Sequence, residues 1–398
     1  MFGGVGDYPV DPIMIGADLF AQDPRTDKLN LTVGVYENEQ GQTPILTSVK
    51  RAERDLIDWQ ETKAYTALTG DPVYCSLLGK ELCGNSAYSD YQFVSAQTAG
   101  GAVALRVVAD LAAQLPASPT IWLQTPTYGN YVPILTAAGA QWRSVPYYDK
   151  SRVQMRFEEM LSGLEAARPG DLFLFQGACH NPTGVDMTDE QFGRLLDHLE
   201  RLGVVPWIDL AYLGFGKGFE ADCEPLRKIV ARFEECIVCV TLSKSFGIYR
   251  DRAGALFLKS RPETRARLQR AVSAIIRSGS SHAPDHGPAV VRRILQDPDL
   301  KALWLWELDE MRLRVAGIRQ QIVLLEQERY QRDTLAFLGG QSGMFSLLPL
   351  DSDQERALTR DHGIHVVKGG RVNVARLNGA TIPKLIEAFH QVVQDRSA

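Results

Sequence analysis

Little in this sequence is extreme, and each shortage closes off a class of function. No apolar run reaches the roughly 18 uninterrupted residues of a membrane helix, so no membrane-spanning segment is predicted. Cysteine is scarce. The six present, Cys75, Cys83, Cys179, Cys223, Cys236 and Cys239, are too few to frame a 398-residue chain with disulfides, and reduced thiols are expected. Basic charge is not in excess: 43 Lys and Arg against 48 Asp and Glu leave a formal net charge of −5. That balance argues against a nucleic-acid partner, because sequence-independent binding needs a concentrated basic surface. Repeats, low-complexity tracts and obvious flexible linkers are missing as well. The opening residues MFGGVGDYPVDP lack the basic and apolar regions of a secretory signal, which predicts a cytoplasmic protein.

What is there is ordinary globular material, 45% hydrophobic and 23% charged, in a chain long enough for two or three domains and a buried site. Cys236 and Cys239 form a C-x-x-C inside the apolar run CIVCVTL. In a strand, residues three apart point to opposite faces, so this pair cannot chelate one metal and no metal site is predicted. The segments SPTIWLQ, GDLFLFQG, GVVPWIDL, CIVCVTLS and AGALFLK are strand candidates. Between them lie helical patterns such as TDEQFGRLLDHLERLG, opened by a Thr that looks like an N-terminal cap. Alternation of this kind predicts a mainly parallel sheet covered by helices, with ligands gathering at the carboxyl ends of the strands. Farther on, LWLWELDEMRLRVAGIRQQIVLLEQERYQ reads as one long helix, and the section from LAFLGGQSGMFSLLPL onward as a small α+β unit.

Four of these strands end in polar stretches: TPTYGN, ACHNPTG, AYLGFG after Asp209, and SKSFG. The last is the most telling, because the run CIVCVTL delivers Lys244 to a place where a strand would carry it into the interior. A buried lysine near other cations has its neutral amine favoured, as a nucleophile or base requires. Asp209, closing VVPWID, is an acid at the end of an apolar strand. Gly100 and Gly101 in TAGGAVALRVVADL sit at a predicted helix start, where free amides and the helix dipole favour an anion.

In order and spacing, SKSFGIYRDRAG, CHNPTG, IDLAYLGF, GMFS and GRVNVA resemble the class I aminotransferases of the aspartate and aromatic amino acid type, pyridoxal phosphate enzymes of fold type I. The likeness runs from DPI at 11–13 to GRVNVA at 370–375. It implies an α/β fold: a large cofactor-binding domain at 43–311, with a mainly parallel seven-stranded sheet flanked by helices. Residues 1–42 and 312–398 would form an N-terminal arm and a smaller α+β domain. The implied activity moves an amino group between an acidic or aromatic L-amino acid and a 2-oxo acid.

The same resemblance implies roles for single residues. Lys244 would form the Schiff base with pyridoxal 5'-phosphate and later move the substrate's α-proton. Asp209 would pair with the pyridine nitrogen, Tyr212 and Asn181 with the phenolic oxygen, and Tyr128 would stack on the ring. Gly100, Gly101, Ala102, Ser243 and Arg252 would receive the phosphate, joined by Tyr65 from a partner subunit. Arg371 would fork onto the α-carboxylate, with Gly34 and Asn181 beside the substrate. Arg277, again from the other subunit, would meet a distal carboxylate, which makes a homodimer with shared sites the expected assembly.

The pattern is not followed everywhere. Ala102 and Val103 stand where a hydroxyl residue and a small residue are usual, and Tyr128 where an indole stacks. Tyr131 and Gln176 replace two histidines near the aspartate, while His180 is retained, and His282 occupies an asparagine position. Every electron-handling group is present, so cofactor chemistry is expected to survive. Changes in the surrounding layer leave a second reading, in which the same carbanion chemistry serves side-chain elimination, replacement or carbon–carbon bond formation.

Overall fold

The computed structural model describes residues 2, 5, 6 and 12–394. Its centre is a sheet of seven strands: β1 (Phe93–Ala99), β2 (Ile121–Thr125), β3 (Trp142–Pro146), β4 (Leu172–Gln176), β5 (Val205–Leu210), β6 (Cys236–Thr241) and β7 (Ala253–Lys259). They lie in the order β1-β7-β6-β5-β4-β2-β3. Only β7 runs against its neighbours; the other adjacent pairs are parallel.

The strands read as near-continuous apolar runs because both faces of the sheet are covered. Side chains along each strand alternate between two separate cores. In β4, Phe173 and Phe175 enter one core and Leu172 and Leu174 the other. Cys236 and Cys239 divide in the same way along β6, so the C-x-x-C is split across the sheet as strand geometry requires. Each fully buried Leu, Val or Phe contributes about 1.5–3 kcal/mol relative to exposure, which makes this two-sided burial the main support of the site above it.

Helix α1 (Gly101–Gln114) covers one face, packing Ala104, Leu105, Val107 and Val108. Helices α2 (Asp189–Leu202) and α3 (Phe219–Arg232) contribute to the core on the other. Thr188 caps α2 as expected, and the reciprocal partner is Gln191, whose side chain returns to the Thr188 amide. Helix α4 (Pro262–Gly279) packs on the α1 side through Val272, Ile275 and Ile276. The predicted long helix is α5 (Pro298–Tyr330), 33 residues capped by Asp297, and it passes unbroken through residue 311.

Beyond α5, two short strands, Phe345–Leu347 and Arg371–Asn373, pair antiparallel, and Leu29–Asn30 pairs parallel with Ile364–His365. Two strands of the main sheet were not anticipated. β1, FVSAQTA, is broken by polar residues, yet Gln97 and Thr98 are buried and bonded: Gln97 accepts from the Asp71 amide, and the Thr98 hydroxyl donates to the Gly100 carbonyl. β3 is an edge strand that leaves Trp142 exposed.

Candidate active site

The carboxyl ends of β4, β5 and β6 bring their polar extensions to one rim. Gln176 and Asp209 face each other in register across β4 and β5, and Lys244 follows the end of β6 three residues on. A pocket opens there, lined among others by Gly101, Tyr128, Asn181, Asp209, Lys244 and Arg252. Ala102, Gln176, Tyr212 and Thr241 also line it.

Asp209 forms the floor. It is buried, and its Oδ2 accepts a 2.7 Å hydrogen bond from the Tyr131 hydroxyl, itself buried. Its Oδ1 has no hydrogen-bond partner among the described residues. Burial pushes the carboxyl up to about 6, against the pull of Tyr131 and Lys244. A buried acceptor left open costs free energy, so the site is built to receive a cationic or donating group there. Tyr131, one of the departures, thus supplies the donor to Asp209 that the missing histidine would have supplied.

Lys244 is partly buried, with its Nζ 5.0 Å from the centroid of the Tyr212 ring. Burial lowers its amine to about 8, Asp209 works against that shift, and the Arg252 charge adds to it. The result is a lysine with a substantial neutral fraction near physiological pH, the form that attacks a carbonyl or takes a proton.

Above the floor runs a chain of polar contacts. Asn181 Nδ2 donates to the Tyr212 hydroxyl at 3.3 Å, and Asn181 Oδ1 accepts from Arg371 Nη1 at 3.3 Å. Gln176, the second departure, clamps the Asn181 backbone: Nε2 donates to its carbonyl and Oε1 accepts from its amide, both at 2.8 Å. Arg371 is buried, donates to the Thr32 carbonyl at 2.6 Å and lies 4.5 Å from the Phe345 ring. Asn373 holds the chain beside Gly34 by donating to the carbonyls of Val33 and Val35. A Cβ on Gly34 would stand 3.1 Å from Phe345 Cζ, so this approach favours glycine.

At the other end of the pocket, Gly100 precedes α1 with φ of 82° and no side-chain cap. A Cβ there would strike the Arg252 guanidinium at 2.6 Å, and one on Gly101 would strike Thr241 Oγ1 at 2.0 Å. The glycine pair therefore lets Arg252 and the first amides of the helix converge, a cradle for an anion. Arg252 Nη1 donates to Ser243 Oγ at 3.2 Å. The open Oδ1 of Asp209, a reactive lysine and this cradle together fit pyridoxal phosphate.

Two predicted site residues lie elsewhere. Tyr65 is 87% exposed and stacks on His282, with ring centroids 4.7 Å apart. Arg277 is exposed at the end of α4, where Nη1 donates to Ser281 Oγ at 2.7 Å. Neither lines this chain's own pocket. His180 is buried but turned away, its Nδ1 bonded to Thr183 at 2.9 Å, its ring 4.2 Å from Tyr147 and its basicity pushed down to about 3 by burial. Thr241 and Phe345 were missed as site residues. Thr241 closes an apolar strand, and its hydroxyl accepts from the Gly101 amide, a pairing no local pattern announces.

A lysine delivered by a strand end beside a buried, half-paired aspartate defines a pyridoxal phosphate enzyme of fold type I. The model of the family described as aminotransferase class I and II matches residues 26–389. The chain is 39% identical to an aspartate aminotransferase of Escherichia coli, over 99% of this chain and 100% of that protein. It is 38% identical to a tyrosine aminotransferase of Rhizobium meliloti, over 98% and 99%. The crystal structure of an aromatic-amino-acid aminotransferase from Burkholderia pseudomallei, covalently bound to pyridoxal phosphate, superimposes with a TM-score of 0.93 at 34% identity, covering 98% of this chain and 99% of that one. The chain belongs to the class I and II aminotransferase family and is a pyridoxal phosphate-dependent aminotransferase.

Proposed function

We propose that the enzyme exchanges the amino group of an acidic or aromatic L-amino acid with a 2-oxo acid. The observation that carries this is the bonded series Arg371–Asn181–Tyr212 ending beside Lys244 and above Asp209. It sets an anion-binding guanidinium at one end of a substrate and a titratable amine at the other. Relatives named for aspartate and for tyrosine support both substrate classes.

When bound, the cofactor supplies an aldehyde that condenses with amines and a ring that accepts the electrons released at the substrate's α-carbon. The chain's own groups do the rest. Asp209, fixed by Tyr131, presents Oδ1 to hold a proton on the pyridine nitrogen. Asn181 and Tyr212 orient and stabilise the phenolic oxygen. Gly100, Gly101, Ala102, Ser243 and Arg252 would hold the phosphate, and Tyr128 would stack on the ring. Arg371, with Gly34 and Asn181 beside it, would orient the α-carboxylate, and the Lys244 Nζ would take the proton from the substrate's α-carbon.

Tyr65 and Arg277 have no role in the pocket of their own chain. As part of this reading they serve the site of a second copy in a homodimer, Tyr65 at the phosphate and Arg277 at a distal carboxylate. The proposed division is a large domain at 43–311 with an arm at 1–42 and a small domain at 312–398. Six buried, unpaired cysteines suit a reducing cytoplasm.

The test is a half-reaction. The cofactor-loaded enzyme, mixed with single amino acids, should convert its cofactor to the amine form with stoichiometric release of the 2-oxo acid, for aspartate, phenylalanine or tyrosine. Release of a side-chain fragment without that conversion, for every amino acid tried, overturns the reading.

A further inference from the structure

Arg319, on α5, is 2% exposed, and among the described residues its guanidinium hydrogen-bonds only neutral acceptors. Nε donates to the Gly343 carbonyl at 3.3 Å and Nη1 to the Leu338 carbonyl at 3.3 Å and Ser346 Oγ at 2.8 Å. Nη2 donates to the carbonyls of Ser342, Gly343 and Phe345, at 3.3, 2.8 and 2.8 Å. Burying a cation without a carboxylate in direct contact is costly, and burial lowers this one to about 10, with the nearby charge of Asp186 opposing the shift. All of its bonds converge on one stretch, residues 338–346.

That stretch controls the surroundings of Arg371 by three routes. It carries Phe345, whose ring lies under the Arg371 guanidinium and edge-on to Tyr212. It begins the strand Phe345–Leu347, which sets the register of Arg371 through the pair Leu347–Arg371. It is tied to the loop carrying Asn181, since Ser342 donates its amide to the Gly184 carbonyl at 2.8 Å and its hydroxyl to Asp186 at 2.6 Å. Asp186 in turn accepts from the amides of Cys179 and His180. The ring beneath Arg371 and the amide that binds it therefore both hang on the segment Arg319 grips.

We propose that Arg319 is a positioning residue for recognition of the substrate's α-carboxylate, acting through residues 338–346 on Arg371. The proposal rests on the assignment of Arg371 to that carboxylate. Lys cannot replace the fork, because an ammonium offers three donors from one point whereas the guanidinium reaches acceptors along the whole stretch.

In the cofactor-loaded enzyme, Arg319→Lys and Arg319→Gln should raise KM for aspartate and phenylalanine alike, by roughly tenfold, the lower end of the range for losing a supporting contact. The kcat and the absorbance of the resting cofactor should stay close to wild type. Ser346→Ala, which removes one acceptor, should shift KM the same way by a smaller factor, and it decides the matter if the Arg319 variants do not fold. Combining Arg319→Gln with Arg371→Lys should raise KM little beyond Arg371→Lys alone. Lower thermal stability with unchanged KM overturns the proposal, as do fully additive effects. An unchanged KM in Arg371→Lys overturns the underlying carboxylate assignment instead.

Discussion

The floor of the pocket and the exposed cluster around Arg277 are built on opposite plans. On the floor, Asp209, Tyr131, Asn181, Tyr212 and Gln176 are buried, come from strand ends, the loops behind them or, for Tyr131, the start of a short helix, and bond to one another within one chain. In the cluster, Tyr65, Arg277, Ser281 and His282 come from a loop and a helix end, lie exposed or half-buried, and join one another through side-chain contacts. The inner set has what cofactor chemistry needs: desolvation that moves an amine to about 8 and a carboxyl to about 6. The outer set has an exposed guanidinium and an aromatic stack that do not line the pocket of their own chain, and our proposal gives them to a second copy. On that proposal the chemistry belongs to the single chain, and recognition of a distal carboxylate to the assembly.

The largest break comes on the inside. Lys244→Ala removes the amine that we assign both to holding the cofactor and to moving the proton, and turnover should fall by roughly 10⁴-fold or more with the fold retained. Measurable transamination near wild type sinks the assignment. The wild-type amine gives a subtler check. Because burial holds Lys244 at about 8, below its usual value, the neutral fraction falls tenfold per pH unit beneath that point. Capture of pyridoxal phosphate by the cofactor-free protein should slow with that slope below pH 8 and level off above it. A midpoint near 10 contradicts a desolvated floor.

Asp209 gives the next effect, and its sign runs against intuition. Its folded carboxyl sits at about 6, above the ordinary 3.8. The folded protein therefore holds this proton more tightly than the unfolded chain does. The associated stability is present below pH 4 and lost as pH rises through 6, about 3 kcal/mol for a shift of this size. Asp209→Asn in the cofactor-free protein should recover up to about 3 kcal/mol at pH 7 and flatten the stability profile between pH 4 and 6. It should also bind cofactor more weakly and lose most turnover. Urea unfolding from pH 4 to pH 8 decides; an unchanged profile removes Asp209 as a strained group.

Turning outward, Arg277→Ala should discriminate between substrates where the floor variants do not. A charge-assisted hydrogen bond is worth about 1.5–3 kcal/mol, so kcat/KM for aspartate should drop roughly 10- to 100-fold. Phenylalanine, with no distal carboxylate, should change little. Equal losses on both would mean that Arg277 supports the fold or the dimer.

The two regions also differ in how far they could be read from the residues. The strand-end motifs of the floor were visible because an ionisable group that closes an apolar strand is costly to bury unless a partner or a ligand meets it, and Lys244 and Asp209 both stand at such ends. The supporting layer was legible only as departures. Tyr131 and Gln176 looked like losses, yet the phenol reaches Asp209 at 2.7 Å and the amide clamps Asn181 at both backbone groups. A hydrogen bond between residues 78 positions apart is set by the fold, and no local spacing encodes it. Thr241, Phe345 and Arg319 were silent for the same reason. β1 was hidden by Gln97 and Thr98, buried polar residues: Gln97 finds its partners in other segments, and Thr98 bonds to Gly100 just beyond the strand.

The smallest effect is the most specific to the outer cluster. His282 is stacked on Tyr65, and its Nδ1 is 3.4 Å from the Ser281 hydroxyl that also accepts from Arg277. An aromatic pair of this kind is worth about 0.5–1.5 kcal/mol, less where water reaches it, as it does beside so exposed a tyrosine. His282→Ala should therefore leave the thermal midpoint of the cofactor-free protein within about 2 °C of wild type. If Tyr65 serves the phosphate of a second copy, however, loosening it should speed cofactor loss from the assembled enzyme by roughly threefold, and His282→Phe, which restores the stack, should reverse most of that. Dilution should enlarge the effect, since the contact depends on a neighbouring subunit. Cofactor release that is unchanged in His282→Ala, or insensitive to protein concentration, would place the cluster outside the site and return Tyr65 to the surface of its own chain.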